Sequence, residues 1–542
     1  MRRSSLPETI AARIVRLMPQ PGRFVSSLRV IALLTLASRI LGLVRENLFG
    51  RYFGTGELLS AFRIAFMAPN LARRLFGEGA LSAAMIPVLT ETIQSNGEES
   101  ARRFVGSLLT VLVAVLALAV IAIEVVILVW RSIYNDSALE LTAIMMPYMA
   151  FICTVAVASG VLNVRGRFGE AAAAPIILNL GMIAALLGGG WSGLSGQSLM
   201  YAVCAGVLVT GVIQVVVTGG ALRVDGFFPI FGAGRRDPRL RKVWTLMAPM
   251  ILGLSAVPIN SLLDSLIAYL FIFENQERVG PAVLGCAQFL YQLPLGVFGI
   301  ALATAIFPVL SARAVDNDRA GMADVLSRGI RLSFFIALPA SVGLIVVAEP
   351  LVATIYQHGV FDESDTRRVA ATLICYSVGV VAYFMQHVIV RAFYALQDSK
   401  TPARIALYMV AMDFALNLVL VFPFEERGLA LATAVCATIQ VVWLLVRLNA
   451  VLRMDWAYVL AGAGKTLLAA LIMSVALFAL TRPAWFPALS TSGPAVQLVV
   501  LVAAGVVVYA AAGFVLRIPE LTMVLRGSRD VRKRETISAI EG

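Results

Sequence analysis

The sequence predicts an all-α polytopic membrane protein of about 14 transmembrane helices, and three observations predict it. Of its 542 residues 59% are hydrophobic and only 14% charged, and the mean hydropathy is +0.87, outside the range of soluble globular chains. The apolar residues gather into runs of about 20, the length that crosses a bilayer core as a helix. The basic residues gather between alternate runs.

Taken in order, the runs fall at 25–53, 58–92, 104–130, 138–163, 172–188, 197–220, 243–273, 281–310, 333–356, 369–397, 402–421, 426–447, 460–481 and 495–516. The first 24 residues hold Arg2, Arg3, Arg13, Arg16 and Arg23 with no unbroken apolar core before Val25. They read as a cytoplasmic amphipathic lead-in, not a cleaved signal peptide. The segments 1–24, 93–103, 164–170, 221–242, 311–331, 398–404, 447–454 and 517–542 carry 29 of the 44 Lys and Arg, and the opposite loops carry about six. The positive-inside rule therefore puts both termini in the cytoplasm, in agreement with an even number of crossings. The net charge of +12 is topological information and a match to anionic membrane lipids; no nucleic-acid partner is expected.

Arginines inside the first two runs carry the functional signal: Arg39 and Arg45 in the first, Arg63, Arg73 and Arg74 in the second. A charge at bilayer depth costs roughly 2.5–3.5 kcal/mol on insertion scales, so several together line a polar cavity that favours an anion. Gly42, and Pro69 with Asn70, are expected to interrupt these helices, since broken helices bearing charge are typical of transporter sites. The bland alternative is that Arg45, Arg51 and Arg74 snorkel to the interfaces or pair with Glu46 and Glu78. Arg39, in mid-segment, resists that reading.

Other chemistry is excluded residue by residue. G-A-G-K-T at 462–466 lacks a P-loop's first glycine, with Val459 in its place, and opens an apolar helix. His358 and His387 are the two histidines, too few for a histidine metal site. Cys153, Cys204, Cys286, Cys375 and Cys436 lie in apolar runs without a C-x-x-C pair, and read as small core residues. The glycine-rich stretch 188–196 reads as a flexible external loop, and 221–242 as an interfacial connector. No enzyme activity is expected.

The stretch S-R-I-L-G-L-V-R-E-N at 38–47, followed by A-P-N-L-A-R-R-L-F-G-E-G-A-L-S-A-A-M-I-P-V-L at 68–89, closely resembles the start of the MurJ/MviN lipid II flippases of the multidrug/oligosaccharidyl-lipid/polysaccharide exporter superfamily. Q-L-P-L-G-V-F-G-I-A-L-A-T-A-I-F-P-V-L-S at 292–311, R-A-F-Y-A-L-Q-D-S-K-T-P at 391–402 and G-L-A-L-A-T at 428–433 extend the resemblance over most of the chain. It implies two six-helix lobes, 25–220 and 243–450, around a central cationic cavity, with a cytoplasmic connector at 221–242. Two extra C-terminal helices at 451–517 would add a groove for a lipid tail, before a basic cytoplasmic tail at 518–542. The implied substrate is lipid II, an undecaprenyl-pyrophosphate-linked disaccharide-peptide, moved by alternating access to the outer leaflet of a bacterial inner membrane by a monomer. Another polyprenyl-linked glycan and a non-transporting scaffold are the alternatives.

Carried over residue by residue, the family's substrate-contacting arginines match Arg39, Arg45 and Arg73, and its acidic partner matches Glu46; Asn70 and Gln288 complete the expected set. Arginine suits pyrophosphate because its planar, permanently charged fork binds bidentately. Two departures stand out. Ser60 replaces an acidic residue common in the second segment, and Gln288-Phe289 replaces an Asp-Arg pair in the eighth. A cavity arginine of the second lobe is therefore missing, and His387 with Arg391 is one candidate for replacing its charge.

In the second half, Asp264, Asp413 and Asn417 are intramembrane oxygen ligands, the last two one helical turn apart. With Thr433 and the Leu429 carbonyl they resemble the sodium site of some family members. Hard oxygen donors suit a small hard cation, Na+ by that resemblance; a protonated Asp hydrogen-bonded within the bundle, or a titrating proton site, is the alternative. No other cofactor is expected.

Overall fold

The computed structural model describes residues 21–74, 80–131, 136–231, 237–254, 256–482 and 492–523. Glu78, the lead-in before residue 21 and the basic tail beyond 523 lie outside the described residues. The described chain is helical apart from short turns and one two-stranded hairpin, β1 (Phe273–Glu274) with β2 (Glu277–Arg278). In hydrocarbon every backbone donor and acceptor must be satisfied within the segment, and a helix does this unaided.

Among the described residues eight helices are long and apolar enough to cross a bilayer, and two pairs bent by 40° and 42° bring the number to ten. The expected fourteen is not reached by this measure. Two of the eight nevertheless hold a break. Ala80–Arg131 reverses at Gly97, with φ 81°, and Lys400–Leu452 at Glu425, with φ 52°. At 1.5 Å per residue each is more than twice a bilayer core in length, so each is two helices joined at a turn. The apolar side chains of these helices face outward: in the most hydropathic window of Leu81–Trp130 only 17% is buried, with Leu118 69% exposed. Such a surface belongs in lipid.

The chain forms two compact units. Unit 1 comprises residues up to Tyr52 together with Ile64–Ser255; unit 2 comprises Phe53–Arg63 and the chain from Ala256 onward. In unit 1, α1 (Pro21–Phe53), α2 (Glu57–Ala72), α3 (Ala80–Arg131), α4 (Ser137–Met145), α5 (Tyr148–Val164), α6 (Gly169–Trp191), α7 (Gly196–Val224) and α8 (Pro238–Leu254) follow in order, α2 being shared between the units at Arg63. In unit 2 these are followed by α9 (Ala256–Phe271), α10 (Gly280–Pro294), a wider π turn at Leu295–Gly299, α11 (Ile300–Val315), α12 (Arg319–Val346), α13 (Ala348–Tyr356), α14 (Glu363–Val378), α15 (Val380–Ala395), α16 (Lys400–Leu452), α17 (Trp456–Leu480) and α18 (Pro494–Val515). Aspartates start several of them: Asp136, Asp318, Asp362 and Asp455 each accept a backbone N–H of the first turn. The Gly321 N–H and then the Arg313 guanidinium hold the Asp318 carboxyl below its ordinary pKa.

Three sequence expectations are corrected. Gly42 does not interrupt α1, which runs unbroken with Gly42 buried inside it; a lone glycine costs a helix only about 1 kcal/mol, less than unpaired backbone costs in lipid. Pro69 does not end α2, which continues to Ala72 and widens into a π turn at Arg73 and Arg74; a proline inside a helix removes one backbone hydrogen bond and can bend the helix without ending it. The stretch 188–196 is not a loop throughout, because α6 continues through Gly188, Gly189 and Gly190 to Trp191. At Gly190 a Cβ would fall 2.7 Å from the Tyr52 Cζ, so glycine there serves close packing.

Candidate functional site

The S-R-I-L-G-L-V-R-E stretch of α1 places its arginines by helical geometry. The Arg45 guanidinium donates to the Asn179 Oδ1 at 2.8 Å and to the Glu46 carboxylate at 2.7 Å. Asn179, from α6, also donates to the Ser38 carbonyl at 3.0 Å, bracketing two turns of α1. Glu46 is buried, and a fifth of the Arg45 side chain is exposed. The pairing with Glu46 weighed from the sequence is thus present, but the guanidinium is gripped on both sides and does not snorkel. A guanidinium whose rotamer is fixed loses little entropy when it meets a planar anion.

Arg73 is oriented by its own helix: its Nε and Nη2 both donate to the Asn70 Oδ1, at 3.2 and 2.9 Å. This i, i+3 clamp explains why the proline-asparagine pair precedes the two arginines. Arg73 also acts electrostatically on Tyr148, whose hydroxyl lies 3.3 Å from Gln214 Oε1, while the Gln214 amide donates to the Ala174 carbonyl at 2.6 Å. Arg39 is half-buried and makes no hydrogen bond or ion pair with a described residue. Asn179, Tyr148 and Gln214 were missed from the sequence, for an amide or phenol in an apolar run is silent until its partner is known. Asn179 and Gln214 could have been flagged only as polar residues within spans.

In unit 2, Asp264 of α9 and Asp413 and Asn417 of α16 come together. The Asn417 amide donates to Asp264 Oδ1 at 2.7 Å and to Asp413 Oδ2 at 3.0 Å, and Asn260 donates to Asp413 Oδ2 at 2.9 Å. The two carboxyl groups are within hydrogen-bonding reach of each other, Thr433 reaches Asp264, and the Cys436 thiol neighbours Asp413. The Thr433 hydroxyl donates to the Leu429 carbonyl at 3.0 Å, so these two oxygens meet as a pair. The Tyr291 ring packs on Tyr376, tilted, and on Tyr383, stacked, with centroids 4.9 and 5.2 Å apart, and Tyr376 interacts electrostatically with both aspartates.

Asp264 is 6% exposed, Asp413 1% and Asn417 0%. Two carboxylates in contact at that depth require a positive charge, a proton or a cation. Asp413 Oδ1 and Asn417 Oδ1 are buried and make no hydrogen bond among the described residues. Turning the Asn417 amide would bring a further oxygen toward the carboxylates, giving a donor set of carboxylate, amide and hydroxyl oxygens fit for a hard monovalent ion.

Gln288 is half-buried in α10 and Phe289 packs on the apolar core of unit 2. The Arg391 guanidinium lies 5.4 Å above the Phe307 ring, and His387 is exposed.

The family model described as "Lipid II flippase MurJ" matches residues 49–503. A protein of Rhizobium meliloti (strain 1021) called "Probable lipid II flippase MurJ" is 31% identical over 525 residues, covering 94% of this chain and 96% of its own. The "Lipid II flippase MurJ" of Burkholderia cenocepacia is 33% identical over 423 residues, 75% of this chain and 80% of its own. A solved structure described as "Lipid II flippase MurJ, inward closed conformation" superposes with a TM-score of 0.73 at 24% identity, over 90% of this chain and 98% of its own; at that identity the likeness speaks for the fold.

Proposed function

The chain belongs to the lipid II flippase MurJ family, and from that premise we propose how it carries an undecaprenyl-pyrophosphate-linked peptidoglycan precursor across the inner membrane by alternating access. Arg39, Arg45 and Arg73 take the pyrophosphate. The observation that carries this reading is the fixed guanidinium of Arg45, held between Asn179 and buried Glu46. Incoming phosphate oxygens meet an oriented donor fork in a poorly hydrated setting, where charge-assisted hydrogen bonds are strongest. Asn70 orients Arg73 for the same task.

Asp264, Asp413, Asn417 and Thr433 hold a sodium ion, a reading supported by the two orphaned oxygens and by the hard donor set. A bound cation supplies the counter-charge that lets both carboxylates remain ionised. A unit charge moved through a 100 mV potential yields about 2.3 kcal/mol, enough to bias an exchange between inward-open and outward-open states. The protein works as a monomer with both termini in the cytoplasm.

The test is lipid II exposed at the outer face of cells depleted of their own flippase and supplied with this protein or its Arg45→Ala or Arg45→Lys variant. Wild type restores exposure; Arg45→Ala does not, and Arg45→Lys does so poorly, since an ammonium cannot hold Asn179, Glu46 and phosphate with one planar fork. A membrane-inserted wild type that leaves the outer face bare refutes the reading and points to another polyprenyl-linked glycan.

A further inference from the structure

Asn260 enters the aspartate cluster of unit 2 from α9, one turn before Asp264. Its amide donates to Asp413 Oδ2 at 2.9 Å and to Asp264 Oδ2 at 3.4 Å. Asn417 repeats this from α16, one turn beyond Asp413, where its amide donates to Asp264 Oδ1 at 2.7 Å and to Asp413 Oδ2 at 3.0 Å. Each helix therefore supplies one carboxylate and one amide at i, i+4 spacing, and each amide bridges both carboxylates. Because Asp413 Oδ2 takes both amides, Asp413 Oδ1 and Asn417 Oδ1 are left buried without a hydrogen bond among the described residues.

A nitrogen that reaches oxygens of both carboxylates stands at the edge of the space they share. A primary amide can present either of two atoms there: with the NH2 inward it donates to carboxylates, and after a half-turn about the Cβ–Cγ bond a carbonyl oxygen takes its place. Toward a cation held between the carboxylates an inward NH2 is repulsive, whereas an inward carbonyl is a ligand. Geometry gives Asn260 the same choice as Asn417. The two differ in access, since Asn417 is fully buried and Asn260 is partly exposed.

We propose that Asn260 is a further ligand of the cation, supplying its amide oxygen on the more accessible side of the site, and that both amides turn when the ion binds. The inference rests on the reading of Asp264 and Asp413 as a cation site. An amide adds an oxygen without adding charge, and so spares the site a third carboxylate that would favour a divalent ion.

The experiment follows melting of the purified full-length protein in detergent as sodium chloride replaces potassium chloride at constant ionic strength, for wild type, Asn260→Ala, Asn260→Asp and Asp413→Ala. In Asn260→Ala the sodium concentration that gives half of the stabilisation should rise about ten- to a hundredfold, the range for loss of a group at a metal site. A packing defect alone lowers the melting temperature in both salts alike and leaves that midpoint in place. Asn260→Asp is nearly isosteric and should make calcium chloride more stabilising than it is for wild type. An unchanged sodium midpoint in Asn260→Ala overturns the proposal. Where Asn260→Ala does not accumulate in the membrane, Asn260→Asp decides, and a calcium response equal to that of wild type overturns the proposal. A wild-type sodium shift that Asp413→Ala abolishes and Asn260→Ala leaves intact removes only the role of Asn260. A wild type indifferent to sodium removes the cation reading itself, and the role of Asn260 with it.

Discussion

The Arg331 guanidinium meets the Glu520 carboxylate at 2.5 Å with 6% and 5% of the two side chains exposed. It also donates to the Tyr458 carbonyl at 3.3 Å and lies 4.1 Å above the Tyr458 ring. One side chain of α12 thereby fastens both α17 and the segment following α18. Gly462 of the G-A-G-K-T stretch gives it passage, since a Cβ there would fall 2.5 Å from its Cζ.

Removing one partner of a buried pair strands the other. Arg331→Ala or Glu520→Ala should therefore lower stability by about 3–5 kcal/mol, and replacing both with apolar residues of similar size should cost far less. Unfolding of the purified variants in detergent checks this; a double variant as unstable as the sum of the singles refutes the pairing.

Arg368 of α14 gathers three carboxylates, Glu274 of the hairpin, Glu425 at 3.4 Å and fully buried Glu426 at 3.1 Å. It ties the reversal between the two halves of α16 to the hairpin. Arg368→Ala should cost about 3–5 kcal/mol by leaving Glu426 uncompensated, with Arg368→Lys intermediate, and Glu426→Gln in the Arg368→Ala background should recover part of the loss. A melting temperature unchanged by Arg368→Ala would sink the idea.

Sodium should raise the melting temperature of the wild type above its value in potassium, as a ligand of the folded state must. Asp413→Ala should abolish the difference. Equal melting curves in the two salts for the wild type would remove sodium from the site.

Gly106 of α3 packs against the chain after α7, where a Cβ would collide with the backbone of Ile230, whose N–H is fixed on the Arg102 carbonyl at 3.1 Å. Backbone cannot step aside as a side-chain tip can, so Gly106→Ala should cost about 1–3 kcal/mol, whereas Gly188→Ala, with nothing nearby, should be neutral or stabilising. Equal stability of the two variants would contradict this packing.

The membrane class, the family and the residues that carry charge into the bilayer are legible in the chain, because hydropathy and intramembrane arginines are local properties that burial penalties make conspicuous. So are the pairs Asp413 with Asn417, which one helical turn brings together, and Arg45 with Glu46, which are adjacent. Tertiary structure alone decided what those groups touch. Asn179 meets Arg45, Asn260 meets Asp413 and Glu520 meets Arg331 only because helices distant in the chain are packed side by side. Polar residues inside apolar runs announce that they need partners; which partner they find depends on helix packing, and no periodicity within one helix encodes it.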